Sequence, residues 1–494
     1  MHHCPLEFVR YRFNAEILED IGMAEKRNRF FCSPAWVIFL GILTFAAFVF
    51  SKELLFYCFV AVYGIGILLF GADLAPIMPL FLLCYITPSP SNNPGQSEEG
   101  LFYGASGGVI LGLAVLAVLS LLLRITFDKR IGWKKLFKTP RTLLPGILAL
   151  GIAYLASGIG SRYYAEDVYR NLAFALIQLA SILLLYFVFS ATVDWKKFDF
   201  EFLAWSGLVP GLVVLAELAW IYLTRDVLAN GAIDRDLLFT GWGVYNNMGA
   251  IIVTAIPFAL YQAQRKKHGS IYLILAFILA VGVVFSCSRS SIVFTALIMI
   301  PAFVYTLVKT ENKKESGITS AILALLLVGT AAVFWKQLVS TFENVPPIAD
   351  VVDGKLVWNH TGRFEIYKEG FSRFLQNPVF GQGFFHRGYD FPEFSVMEGF
   401  SSFFPPRLHN TVIQILASCG IVGLLAYGYH RVQTICLLVK RRSVENTYIG
   451  FYLLALLGMS LLDCHFFNVG PILFYSIALA VAEFANPNKK RQRK

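Results

Sequence analysis

The chain has 494 residues, of which 56% are hydrophobic and only 15% charged, and its formal net charge is +10. A soluble globular protein carries about 25% charged residues, so the composition excludes an ordinary soluble enzyme and points to a polytopic membrane protein. The basic balance does not call for nucleic acid, because Lys and Arg accumulate on the cytoplasmic side of membrane proteins.

In chain order, residues 1–33 hold no apolar core and read as a cytoplasmic segment with no cleaved signal peptide. Apolar stretches long enough to cross about 30 Å of hydrocarbon follow near 34–50, 53–70, 73–87, 102–124, 142–160, 170–192, 202–223, 244–263, 269–287, 290–308 and 318–338. The third is the weakest, being interrupted by Asp73, Pro76 and Pro79. A loop over 339–408 separates this block from three more stretches at 409–436, 446–466 and 468–485, and residues 486–494 form a basic tail. The sequence thus predicts an all-α, polytopic transmembrane bundle of about 12–14 spans. The segments are 1–33, helices in 34–338, the large loop 339–408, helices in 409–485, and the tail 486–494.

A cytoplasmic N-terminus places roughly two thirds of the Lys and Arg on one side, as the positive-inside rule requires. Lys129 to Arg141, Arg265–Lys267, Lys309–Lys314 and Lys440–Arg442 all fall inside, with both termini. The 339–408 loop then lies outside, and its length suggests function rather than connection.

Four local patterns converge on that outer face. Tyr245-Asn246-Asn247-Met248-Gly249-Ala250 enters one span. Ser286-Cys287-Ser288-Arg289-Ser290-Ser291 forms a tight hairpin, where Arg289 and the amides of a helix N-terminus suit a phosphate or pyrophosphate; an arginine snorkelling to headgroups fits the same residues. Gly362-Arg363 opens an amphipathic segment with Phe364, Tyr367, Phe371, Phe374 and Leu375 at helical spacing, expected to lie in the interface with its aromatic face in lipid. It ends at Asn377-Pro378, followed by Gly381-Gln382-Gly383, a turn that brings backbone close to something else. His409, with Asn410, begins the span that follows Pro405-Pro406-Arg407-Leu408. The helix dipole there favours a neutral imidazole able to accept a proton, although a lone interfacial histidine also serves as an ordinary polar residue.

Secondary candidates are Arg162, Tyr163, Tyr164, Asp167 and Arg170 in one outer loop, and Arg225, Asp234, Arg235 and Asp236 in another. The eight cysteines form no CxxC or CxxH pair, so neither a zinc site nor a disulfide framework is expected. No nucleotide loop, HExxH or GxSxG motif is present. Glu217 is the main ionisable residue within a span, with Asp73 and Asp463 near span ends.

From about residue 240 to 430 these motifs, in their order and spacing, resemble the O-antigen ligase and polymerase superfamily of bacterial membrane glycosyltransferases. The carriers are Tyr245 to Ala250, Ser288-Arg289-Ser290, the long loop, Gly362-Arg363, Asn377-Pro378-Val379-Phe380-Gly381-Gln382-Gly383, and His409-Asn410 before a span holding Gly420 and Gly423. The resemblance implies a GT-C-like fold, an undecaprenyl-pyrophosphate-linked glycan as donor, a glycan or lipid acceptor, and no metal or other cofactor. It implies a place in the cytoplasmic membrane with the active face periplasmic or extracellular, in lipopolysaccharide or related polysaccharide biosynthesis. It further implies that Arg289 and Arg363 bind the donor pyrophosphate, that His409 assists the acceptor, and that Asn247 lines the same cavity. Ser288, Ser290, Asn410 and Arg235 are expected beside the substrate.

Two other readings remain open. A polysaccharide or lipid transporter or flippase would centre a polar path on Glu217. A multi-span peptidoglycan glycosyltransferase of another type would rely on an outer carboxylate such as Asp234 or Asp236.

Overall fold

The computed structural model describes residues 28–83, 104–128, 132–162, 164–228, 233–234, 237–240, 243–335, 339, 349–352, 355–358, 362–385, 407–467 and 469–485. The principal helices are α1 (Pro34–Phe50), α2 (Glu53–Phe70), α3 (Gly104–Phe127), α4 (Leu144–Leu155), α5 (Tyr164–Thr192), α6 (Phe200–Thr224) and α7 (Tyr245–Arg265). They continue with α8 (Gly269–Phe285), α9 (Arg289–Lys309, containing a π-helical turn at Thr295–Met299), α10 (Lys313–Val333), α11 (Gly362–Gln376), α12 (Thr411–Lys440), α13 (Val444–Leu462) and α14 (Val469–Phe484). Six of them, α3, α5, α6, α9, α12 and α13, are long and apolar enough to cross a membrane, and α1, α2, α4, α8 and α14 are shorter apolar helices. This is the all-α polytopic bundle expected.

The stretch 73–87 departs from expectation. Its described part is a 3-10 turn at Ala75–Ile77 and a single helical turn at Leu80–Leu83. Pro76 and Pro79 remove backbone donors. Asp73 supplies acceptors instead, taking hydrogen bonds from the amides of Ala75 (2.8 Å) and Asp194 (2.9 Å).

Helix starts are closed by side chains where lipid offers no partner. Ser33 accepts from the Trp36 amide at 3.3 Å, and Ser443 from that of Asn446 at 3.0 Å. At the centre of the bundle α7 is enclosed by α6, α8, α9 and α13, with Met248, Ile252, Val253, Ala255 and Phe258 fully buried. The described residues also hold a short helix at Gly132–Lys138, a 3-10 turn at His465–Phe467 and two short antiparallel hairpins, β1 (Phe239–Thr240) with β2 (Gly243–Val244) and β3 (Ala349–Val352) with β4 (Lys355–Trp358).

The most consequential local feature is a break in α12. Gly420 has φ +64° and ψ −156°, a conformation open to glycine and costly for other residues, and it interrupts the helical ladder. The segment 377–385 repairs it. Pro378 and Val379 carbonyls accept from the amides of Ile421 (2.8 Å) and Val422 (3.3 Å), while Gln382 and Gly383 amides donate to Ala417 (2.7 Å) and Ser418 (3.0 Å) carbonyls. Gly381, at φ +68°, lies so close to the Ser418–Cys419 peptide that a Cβ would overlap it. The other side of this strap is tied to α4 and α5: the Gly158 amide donates to the Phe380 carbonyl (2.9 Å), and Asn171 Oδ1 accepts from the amides of Phe384 (2.5 Å) and Phe385 (3.0 Å). Phe384 is fully buried.

Candidate active site

The turn between α8 and α9 reverses the chain through Cys287, whose φ is +55°. Ser288 caps α9: its hydroxyl accepts from the Ser291 amide at 3.4 Å and contacts the hydroxyls of Ser290 (3.2 Å) and Ser291 (2.7 Å). It also donates to Asn246 Oδ1 at 3.1 Å. A Cβ at Gly249 would overlap Ser291 Oγ, so glycine lets the start of α7 press against this turn. The serines are buried, and Arg289 is half-buried at the first position of α9.

His409 sits immediately before the N-cap of α12, at φ +47°. Asn410 is that cap: its Oδ1 accepts from the amides of Val412 (2.9 Å) and Ile413 (3.1 Å), and its Nδ2 donates to the Leu461 carbonyl (2.8 Å) at the end of α13. This places His409 Nδ1 3.4 Å from Asp463 Oδ1, within ion-pair range and longer than an ordinary hydrogen bond. Asp463 lies just beyond α13. Burial pushes its carboxyl up, but contact with His409 and the positive fields of His465, His409 and Arg407 outweigh burial and hold it well below the usual carboxylate range. Burial lowers His465, which follows two residues later.

Helix α11 joins from the other side. Ile366, Gly370 and Arg373 face inward, with Gly370 against Leu408 and Ile413, whereas Phe364, Phe371 and Leu375 are exposed. Tyr367, expected in the aromatic stripe, instead turns toward the site and donates to the His409 carbonyl at 3.1 Å. Arg363 lies one helical turn before it, and opposes the rise that burial imposes on the Tyr367 hydroxyl.

Helices α9 and α13 run antiparallel: Thr306 meets Tyr448 at 2.7 Å, and Phe294 abuts Gly458. At about 1.5 Å per residue, Arg289 and Asp463 each lie about 7 Å beyond the Phe294–Gly458 contact, toward the same end of the bundle. The Arg289 turn and the His409–Asp463 pair therefore share a level.

The structure thus gathers His409, Asn410, Arg289, Ser288, Ser290 and Arg363 at one end. Asn246, rather than Asn247, bonds the Ser288 turn; Asn247 is half-buried one position on. Arg235 and Asp236 lie outside the described residues, as do 386–406 of the loop. Sequence reasoning missed Asp463 as the partner of His409, and missed Arg407. The available signal was Asp463-Cys464-His465 directly after an apolar run, and a second cation two residues from His409. Among the described residues, no group of three or more His, Cys, Asp or Glu side chains is placed to hold a metal ion.

Fold and site together define a polytopic helical membrane protein with an arginine, histidine and aspartate cluster at one end of its bundle. Residues 274–428 match the family model of O-antigen ligase. That match supports the O-antigen ligase and polymerase superfamily for this chain, and with it an O-antigen ligase-type membrane enzyme of polysaccharide biosynthesis. The matched segment is less than half of the chain; it contains Arg289, Arg363, the strap, His409 and the break at Gly420, and stops short of Asp463. No curated protein matches the chain.

Proposed function

We propose that the protein transfers or polymerises an undecaprenyl-pyrophosphate-linked glycan at the outer face of the cytoplasmic membrane. The observation that carries this reading is the convergence of His409, backed by Asp463, with Arg289, Arg363 and Arg407 at one end of the bundle. An acceptor hydroxyl attacks the anomeric carbon while its proton passes to His409 Nε2. The bond from that carbon to the pyrophosphate oxygen breaks, and the electron pair leaves with the lipid pyrophosphate. This leaving group is already a stable anion, so charge stabilisation by arginines dominates on that side. General-base help from His409 is worth on the order of 10²–10⁴ in rate. Attack opposite the pyrophosphate inverts the anomeric centre, and retention in the product linkage would overturn that part.

The test is transfer in reconstituted vesicles containing the protein, a lipid-pyrophosphate-linked oligosaccharide, acceptor and EDTA. Wild type is expected to elongate or transfer glycan, with Arg289→Ala and His409→Ala each losing at least about 10²-fold. Redistribution of intact donor across the bilayer with no transfer would instead establish a transporter.

A further inference from the structure

On the second half of α12, Arg431 is a partly buried residue whose Nε and Nη2 atoms are shut off from solvent. Three rings cover its guanidinium, with Phe466 4.3 Å, Tyr427 4.4 Å and Tyr475 5.0 Å from Cζ to ring centroid. Nη1 donates to the Tyr475 hydroxyl at 2.6 Å, and the same oxygen meets His430 Nε2 at 2.7 Å. Nε and Nη2 are buried and make no hydrogen bond of ordinary geometry among the described residues; the Tyr427 hydroxyl is their polar neighbour, at weaker reach. No carboxylate pairs with Arg431 there either. The Tyr154 hydroxyl, within electrostatic reach of Arg431, is buried and unpartnered too.

The identity of the two orphaned donors matters. Nη1 lies on the Cδ side of guanidinium, so Nε–H and Nη2–H are the adjacent, parallel pair that grips an anion side-on. The surrounding rings offset part of the cost of burying the cation, but they give Nε and Nη2 no hydrogen bond of ordinary geometry. Water would satisfy the N–H groups and leave the charge uncompensated; an anion does both.

We propose that the Nε and Nη2 edge of Arg431, with the Tyr154 hydroxyl, holds one small monovalent anion inside the bundle. The site is separate from the arginines assigned to the donor pyrophosphate, and it stands whether or not the glycan-transfer reading holds.

The experiment is thermal unfolding of the full-length protein in detergent at constant ionic strength, replacing gluconate, too bulky for the edge, by chloride or by formate. The wild-type midpoint is expected to rise saturably with the small anion, as linked binding requires. Tyr154→Phe is expected to raise the half-saturating concentration several-fold, and Arg431→Met to abolish the dependence. A wild-type midpoint that is the same in all three salts overturns the proposal. So does an anion dependence unchanged in both variants, which would locate the effect on the surface. If Arg431→Met does not fold, Tyr154→Phe decides: a shifted half-saturation supports the site and an unshifted one overturns it.

Discussion

On the proposed reading, His409 and Asp463 split one proton-transfer task between them. A ring whose Nδ1 faces a carboxylate at 3.4 Å has Nε2 on its opposite edge for the substrate proton, and catalytic contacts of this length often tighten once substrate is bound. Asp463→Asn keeps the shape and removes the charge, so transfer is expected to fall through kcat, within the roughly 10²–10⁴ that general-base catalysis supplies, with little change in KM. A matching rise in KM, or full activity, would show that Asp463 does not position His409. The same residues set an acid limit on stability. Asp463 is held below its ordinary value, so its contribution is complete above about pH 4 and is lost as the pH falls toward the folded value. His465 is lowered by burial, so its contribution is present above about pH 6.5 and is lost as the pH falls below that. Unfolding midpoints measured from pH 8 to pH 4 are expected to decline, with His465→Gln flattening the upper part of the decline.

At the scale of elements, the strap and the broken helix are one structure. Ala at 420 would combine an unfavourable backbone conformation, costing about 1–3 kcal/mol, with overlap on the Pro378 and Val379 carbonyls. Gly428, eight residues on in the same helix, has open space around it, and Ala there changes stability by at most about 1 kcal/mol in the favourable direction. Midpoints of Gly420→Ala and Gly428→Ala are therefore expected to move apart, and equal values would remove the break from the account. How much of this was legible differs by element. Apolar runs placed the principal helices other than α11, which amphipathic spacing revealed, because lipid demands unbroken backbone pairing over a fixed length. Gly381-Gln382-Gly383 was readable as a close backbone approach, yet its target was not, because Gly420 resembles any other small residue in a membrane helix. Asn246 and Asn247 differ by about 100° around α7, and only the neighbouring turn decides which one faces it.

At the scale of the molecule, charge and site lie at opposite ends. Helices α7, α9 and α12 each begin at the site, with Asn246, Arg289 and His409, and end at Arg265, Lys309 and Lys440. By the positive-inside rule the basic pattern in the sequence is expected to put the site on the outer side, while the pairing of His409 with Asp463, fifty-four positions apart, needed the bundle to be seen. Single cysteines at Phe371 and Lys314, in a variant lacking the native cysteines, are expected to react with an impermeant thiol reagent from opposite sides, Phe371→Cys from outside intact cells. Labelling of both from one side would refute the orientation.

The break at Gly420 also constrains how the protein is made. Ribosomes deliver α4, α5 and the strap before α12, so the groups that will mend the helix exist before the helix does. When residues 411–440 enter the membrane, the carbonyls of Ala417 and Ser418 and the amides of Ile421 and Val422 have partners only in a segment already synthesised. Completion of this end therefore awaits the docking of α12 on the strap, and His409, eleven residues before Gly420, belongs to the helix that docks last.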